Sequence, residues 1–330
     1  MSASRQVISG PSVWVGSEIS GNTSWAFHLS ESHRAHIVEA TRAAISRGCS
    51  VASIERDDFP LPLLGDLIAD WTHQIADGRG FVLLRGFPID LLSATETEVA
   101  YAGLGTHLGR RVGQNKSGDL LTHIRDEKVP TEPGKPVRLY RTNDRQDFHT
   151  DGADIIGLLC LSQSLRGGES RIVSSAALFN EMLRRRPDLV EVLYQPMCWD
   201  RQGEELPGEQ PWFMLPPIND VNGTPRFFYI GWYIRNAQRH PEVPRLTASQ
   251  IEAMELVEQI ANDPHFHVEM SFEPGDIQLL NNGTILHARE AYTDGDTPDT
   301  QRHLLRLWLA AHDFTSVVDG LRAGINTNRS

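Results

Sequence analysis

The 330-residue sequence is poor in cysteine, and Cys49, Cys160 and Cys198 stand far apart in no metal-ligand spacing. They read as free thiols of a reducing compartment, with a single bridge the one alternative left open. No apolar run approaches the ~18 residues that cross a bilayer. The opening Met1-Ser2-Ala3-Ser4-Arg5-Gln6-Val7 has no apolar signal core. There is no basic run, and a formal charge of −12 with a pI near 5.5 argues against a nucleic-acid surface. Internal repeats and low-complexity linkers are missing as well. These absences lead us to expect a cytoplasmic protein with neither nucleic acid nor membrane as a partner. What is present is 40% hydrophobic residues, enough to bury a large core. No linker marks a boundary, so 1–330 is read as one domain, and a homo-oligomer stays open.

The first part of the chain reads as scaffold. Ser30 is placed to cap a helix to about Arg47, with Ile37, Ala40, Ala44 and Ile45 as its apolar stripe and Gly48 ending it. A second helix fits 62–76, with Leu63, Leu64, Leu67, Ile68, Trp71 and Ile75 facing the core. Phe81-Val82-Leu83-Leu84, between Gly80 and Gly86, reads as a buried strand, and a third helix fits 94–108. Residues 1–79 are thus expected to form a mostly helical N-terminal scaffold.

From Gly113 the pattern turns to short strands: 120–124, the apolar run 155–161, and 169–173 after a turn at Gly167-Gly168. A loop is expected at 130–136, and a helix through Met182 to Arg185. Short strands with turns between them point to a sandwich or barrel rather than βαβ units. Residues 196–245 look least regular. They hold Trp199, Trp212, Phe213, Phe227, Phe228, Tyr229, Trp232 and Tyr233 among prolines, either as apolar anchors of loops or as a lid insertion over a substrate. Thr247 opens a further helix to about Ala261, with Ile251, Met254, Leu256, Val257 and Ile260 as its apolar positions. Asn282-Gly283, between the apolar runs 277–280 and 284–287, is a hairpin turn signal.

The chemistry centres on Phe148-His149-Thr150-Asp151. In an extended segment an imidazole and a carboxylate two residues apart share a side. Together with His287, which follows the Asn282-Gly283 turn, they would make two imidazoles and one carboxylate with open positions opposite. That is the facial triad suited to Fe(II). A structural His–Asp pair is the bland alternative. The rival pair in His265-Phe266-His267 resembles the start of a cupin ligand set. It lacks that motif's glycines, and Glu269 and Glu273 sit at the wrong offsets, so it reads as a strand leading to the Pro274-Gly275-Asp276 turn. At strand periodicity Arg302, Leu304, Arg306 and Trp308 share one face. Two cations in so apolar a strand call for anionic partners, bound carboxylates before surface salt bridges.

Four blocks in register, His149-x-Asp151, Gly167-Gly168-Glu169-Ser170, Asn281-Asn282-x4-His287 and Arg302-x3-Arg306, resemble the taurine dioxygenase family of Fe(II)/2-oxoglutarate oxygenases over about residues 80–315. The resemblance implies a mainly β double-stranded β-helix, or jelly roll, with flanking helices. It implies His149, Asp151 and His287 as iron ligands and Arg302 as partner of the distal carboxylate of 2-oxoglutarate. Ser170 stands where the family often has threonine, as a hydroxyl partner of that carboxylate. Arg306 matches a position that in some members contacts an acidic substrate group. The implied cofactors are Fe(II), 2-oxoglutarate and O2, with succinate and CO2 released and a small organic molecule oxidised, hydroxylation being the default. Asp151 counts against halogenation, since related halogenating oxygenases carry no carboxylate there. A zinc hydrolase or a catalytically silent metal-binding jelly roll is the alternative, and neither needs a buried anion clamp.

Overall fold

The computed structural model describes residues 5–129, 138–221 and 223–315, so the loop expected at 130–136 lies outside the described residues. Two β-sheets face each other. The major sheet has seven strands in the order Ala26–His28, Phe81–Arg85, Ile277–Asn281, Ile155–Ser162, His303–Ala311 and Gly109–Arg111, with Leu121–Ile124 also paired to His303–Ala311. The minor sheet runs His267–Met270, Ser170–Ser174, Ile285–Arg289, Gln146–His149. Every pairing in the two sheets is antiparallel except that of Ala26–His28 with Phe81–Arg85.

The pairing is nested. Strand 121–124 pairs with 303–311, 146–149 with 285–289, 155–162 with 277–281, and 170–174 with 267–270. One long antiparallel ribbon is in effect wound into two sheets, the double-stranded β-helix expected of the sequence.

Alternation along the strands decides the layers. Leu305, Leu307 and Leu309 point outward with Val82, Leu84, Ile155 and Ile277 against the helices Glu31–Ser46, Gly65–Ala76 and Ala94–Gly105. Leu304 and Trp308 point inward with Phe81, Ile156 and Leu280 toward Ile172 and Ile285 of the minor sheet. The far face of the minor sheet, with Phe148, Val173 and Leu286, packs on the helices Ser175–Arg185, Pro187–Leu193 and Ala248–Asn262. Helix starts follow local chemistry. Ser30, Ser93 and Thr247 each close a capping box with the residue three positions on. Gly157 permits close sheet–helix approach, since a Cβ there would lie 2.4 Å from the Tyr101 hydroxyl. No described helix is long and apolar enough to cross a membrane, and all three cysteines are free.

Three expectations need correction. The Asn282-Gly283 turn does not close a hairpin: Ile277–Asn281 belongs to the major sheet and Ile285–Arg289 to the minor one. Both strands are buried throughout, so each takes partners from its own sheet, and the turn becomes a crossing between layers. Residues 196–245 are more regular than they look. They form hairpins of Met197–Asp200 with Trp212–Leu215 and of Ile218–Val221 with Thr224–Phe227, followed by the helix Gly231–Ala237. Pro225, inside a strand, masks the second hairpin. Leu63 and Ile251 are 59% and 43% exposed rather than core; Leu63 sits in a 3-10 turn, Pro62–Leu64, that precedes the helix and shifts the phase of its stripe.

The layering makes Leu305, fully buried between sheet and helices, a core anchor. Leu305→Ala should cost ~2–5 kcal/mol in urea unfolding, whereas Leu63→Ala should stay within about 0.5 kcal/mol. Equal effects would contradict this assignment of faces.

Candidate metal centre

His149 ends its strand and stands directly across from His287 in the neighbouring one, their ring centroids 4.2 Å apart. Asp151 follows two residues later and is held from the crossing turn. Its backbone N–H donates to Asn282 Oδ1 at 2.7 Å, and the Asn282 amide donates back to the Asp151 carbonyl. Between them Thr150 is pinned to Tyr229: its N–H donates to the Tyr229 carbonyl at 2.8 Å, and its Oγ1 accepts from the Tyr229 N–H at 2.9 Å. The outcome is one ligand atom each from His149, Asp151 and His287, all within 4.8 Å of one another, in residues 3%, 7% and 7% exposed. Among the described residues this is the one such group.

The charge state suits a cation. Burial lowers the pKa of both imidazoles, that of His287 to about 3 with further help from neighbouring His149. Burial opposes the Asp151 charge, but Arg306, the two imidazoles and the Trp308 N–H outweigh it and hold the carboxyl below its usual value. Two neutral imidazoles and a carboxylate are what a divalent ion binds without displacing protons. His149 Nδ1 lies 2.8 Å from the Asp147 carbonyl, which directs Nε2 into the site. There Nε2 meets the Gln146 amide at 3.1 Å. His287 Nδ1 is buried with no hydrogen-bond partner among the described residues, and Nε2 lies 3.9 Å from Asp151 Oδ2.

Arg306 is tightly engaged. Its Nη1 donates to Asp151 Oδ2 at 3.3 Å, beside Trp308 Nε1 at 3.1 Å, and its Nε donates to Gln114 Oε1 at 2.8 Å. Arg302 is not. Its Nη1 is buried without a hydrogen-bond partner among the described residues, and burial plus the like charge of Arg289 brings its pKa down to about 10. Space for it depends on Gly168, at φ +80°, where a Cβ would lie 3.0 Å from Arg302 Cδ. Ser170, buried nearby, donates its hydroxyl to Gln278 Oε1 at 3.2 Å. Ser170, Arg302, Arg306 and His287 line one recess. A second adjoins it across His149, Tyr140 and Arg306 and is walled by Arg138, Glu204, Trp232 and Tyr233.

The structure therefore gathers all six residues singled out in the sequence, His149, Asp151 and His287 as the cluster and Arg306, Arg302 and Ser170 around it. His265 and His267 stay apart, at Ser17 Oγ and the Ala261 carbonyl. The aromatics of 196–245 divide: Trp199, Phe227, Phe228 and Tyr229 are core, while Trp232 and Tyr233 reach the outer recess. Sequence reasoning missed Asn282 as a clamp, Gln114, Arg138 and Arg289. Of these, Asn282 stood inside the Asn281-Asn282-x4-His287 block and Arg289 two residues beyond His287, whereas Gln114 and Arg138 had no such signal.

Comparison with known proteins agrees. The model of the family described as taurine catabolism dioxygenase TauD, TfdA family, matches residues 45–308. The FR-33289 synthase of Streptomyces rubellomurinus is 34% identical over 313 residues, covering 92% of this chain and 91% of that protein. The taurine hydroxylase-like protein SAT17 of Stachybotrys chartarum is 34% identical over 309 residues, covering 89% and 77%. Among solved structures, asparagine oxygenase in complex with Fe(II), a hydroxyasparagine and succinate superposes with a TM-score of 0.66 at 16% identity, covering 87% of this chain and 93% of that one, a likeness of fold. The chain belongs to the TauD/TfdA family of Fe(II)/2-oxoglutarate-dependent dioxygenases.

Proposed function

We propose that His149, Asp151 and His287 hold the Fe(II) of this dioxygenase, that Arg302 and Ser170 receive the distal carboxylate of 2-oxoglutarate, and that the outer recess takes a small substrate with an anionic group. The observation that carries this reading is the buried, charge-matched donor set beside a buried guanidinium nitrogen with no hydrogen-bond partner among the described residues. The donor chemistry fits the metal, two neutral nitrogens and one anionic oxygen with the remaining directions toward the recesses. A zinc hydrolase or a silent metal-binding protein would have no use for Arg302. Iron bound there would supply the coupled oxidation of the keto acid to succinate and CO2 and of a substrate C–H bond, for which hydroxylation is the default.

The chain's own part is to orient and to shield. Asn282 sets the Asp151 backbone, while Arg306 and Trp308 hold one of its carboxylate oxygens and so fix its rotation. Trp232, its ring 4.9 Å from that of His149, closes the outer recess together with Tyr233, and the 196–245 segment serves as a lid. Arg306 already serves Asp151 and Gln114, so Arg138 is the better cation for the substrate anion. Among the described residues it meets Glu204 Oε1 at 3.8 Å, outside hydrogen-bond reach. A relative named for taurine, a sulfonate, supports an anionic substrate.

Three outcomes are expected. His149→Ala, Asp151→Ala and His287→Ala should each abolish succinate release while circular dichroism shows a folded protein; full activity with stoichiometric iron would remove that residue from the site. Arg302→Leu, losing one side of a buried charge pair worth ~3–5 kcal/mol, should raise the 2-oxoglutarate requirement by roughly two to four decades with iron binding kept. An unchanged requirement would refute the clamp. In a screen of substrate-dependent succinate release, sulfonates, phosphonates and carboxylates should exceed neutral isosteres, and Arg138→Leu should raise their KM roughly ten- to hundredfold. Equal turnover of neutral isosteres would sink the anionic class.

A further inference from the structure

Arg289 is a buried cation with no part in the chemistry proposed so far. It ends the Ile285–Arg289 strand two residues beyond His287 and is 5% exposed. Only Nη2 is engaged, donating to the carbonyls of Asp144 and, at 3.5 Å, of Leu139. Nε and Nη1 are buried without a hydrogen-bond partner among the described residues. The Arg289 guanidinium carbon lies 5.0 Å from the Tyr292 ring centroid and that of Arg302 lies 5.4 Å from the same centroid, so the two charges are no farther apart than those distances combined. Both arginines line the recess that holds Ser170. The hydroxyl of Tyr292, whose ring both guanidinium groups approach, is also buried and has no hydrogen-bond partner among the described residues.

Two guanidinium groups of like sign, with unpaired nitrogens, are costly inside a protein unless an anion enters between them. A carboxylate has two oxygens and suits two such donors. On the reading that this recess receives 2-oxoglutarate, we propose that Arg289 is a second holder of its distal carboxylate, beside Arg302, and that it ties co-substrate occupancy to the wall of the outer recess. The tie runs through Nη2. The carbonyls it grips bracket a segment carrying Tyr140, whose ring centroid lies 5.3 Å from the Arg306 guanidinium carbon and 5.5 Å from that of Arg138. With its other nitrogens anchored on the carboxylate, Arg289 holds those carbonyls in one place, and the primary-substrate pocket stiffens when the co-substrate is in.

The test uses the Zn(II)-loaded full chain, which binds without turnover, titrated with 2-oxoglutarate by calorimetry. Amide hydrogen exchange over 139–144 is followed with and without saturating ligand. In the wild type the ligand should bind and slow that exchange. Arg289→Gln should weaken binding roughly ten- to hundredfold and, even at saturation, leave 139–144 exchanging as in the ligand-free protein. Arg302→Gln should also weaken binding yet keep the slowed exchange at saturation, because Arg289 still engages the carboxylate. A merely structural Arg289 would change exchange in the free protein and leave the affinity alone. Arg289→Lys, which keeps the charge without the fork, should fall between the wild type and Arg289→Gln in affinity, and it is the deciding variant if Arg289→Gln does not fold. Affinity within about twofold of wild type in a folded Arg289 variant overturns the proposal while the co-substrate reading stands. A wild type that binds no 2-oxoglutarate overturns that reading, and the proposal with it.

Discussion

The reciprocal hydrogen bonds between Asn282 and Asp151 are the constraint on which the site depends. Asp151 lies just past a strand end, where its N–H and C=O have no ladder partner and are buried away from water. One carboxamide satisfies both. Leaving such groups unpaired would cost ~1–3 kcal/mol each. Because Asn282 sits in the turn that crosses from the major to the minor sheet, the same bonds lock the position of that crossing. His287, a few residues farther along the emerging strand, is thereby placed opposite His149.

Around this lock the interior is organised by charge. Arg302, just before the strand His303–Ala311, and Arg306 and Trp308 on its inner face line the space between the two sheets. Arg306 is neutralised within the protein by Asp151 and oriented by Gln114, which also donates to the Arg306 carbonyl at 2.8 Å. Arg302 and Arg289 keep nitrogens with no hydrogen-bond partner among the described residues. The cavity thus has a self-satisfied centre and an unsatisfied inner end, an asymmetry that suits a small dianion reaching inward from the metal. The apolar outer faces, packed on helices at either side, supply the stability that carries this buried charge.

Much of the fold was legible because it rests on short-range signals. Ser30 and Thr247 mark helix starts, the run at 155–162 is too apolar to be anything but buried, and the alternation in 303–311 separates an inward charged face from an outward leucine face. Family membership was legible because four short blocks keep their order and spacing. Arg138, Gln114 and Glu204 were not, since nothing in their neighbourhoods marks them and only the folded chain sets them at the mouth of one recess.

The turn at Asn282-Gly283 shows where local information stops. Its dipeptide correctly announces a reversal, and a reversal between two apolar runs ordinarily makes a hairpin. The chain instead sends the runs to opposite sheets, because strands buried on both faces gain more from two neighbours each than from pairing with one another. Residue types and their periodicity were enough to specify most strands outside 196–245, and four blocks in order carried the resemblance that implied the jelly roll and the residues capable of binding a metal and an anion. Only the nested long-range pairing could decide that His149 faces His287, that Asn282 clamps Asp151, and that Arg289 turns in beside Arg302. Those contacts join residues remote in sequence, and no local pattern encodes them.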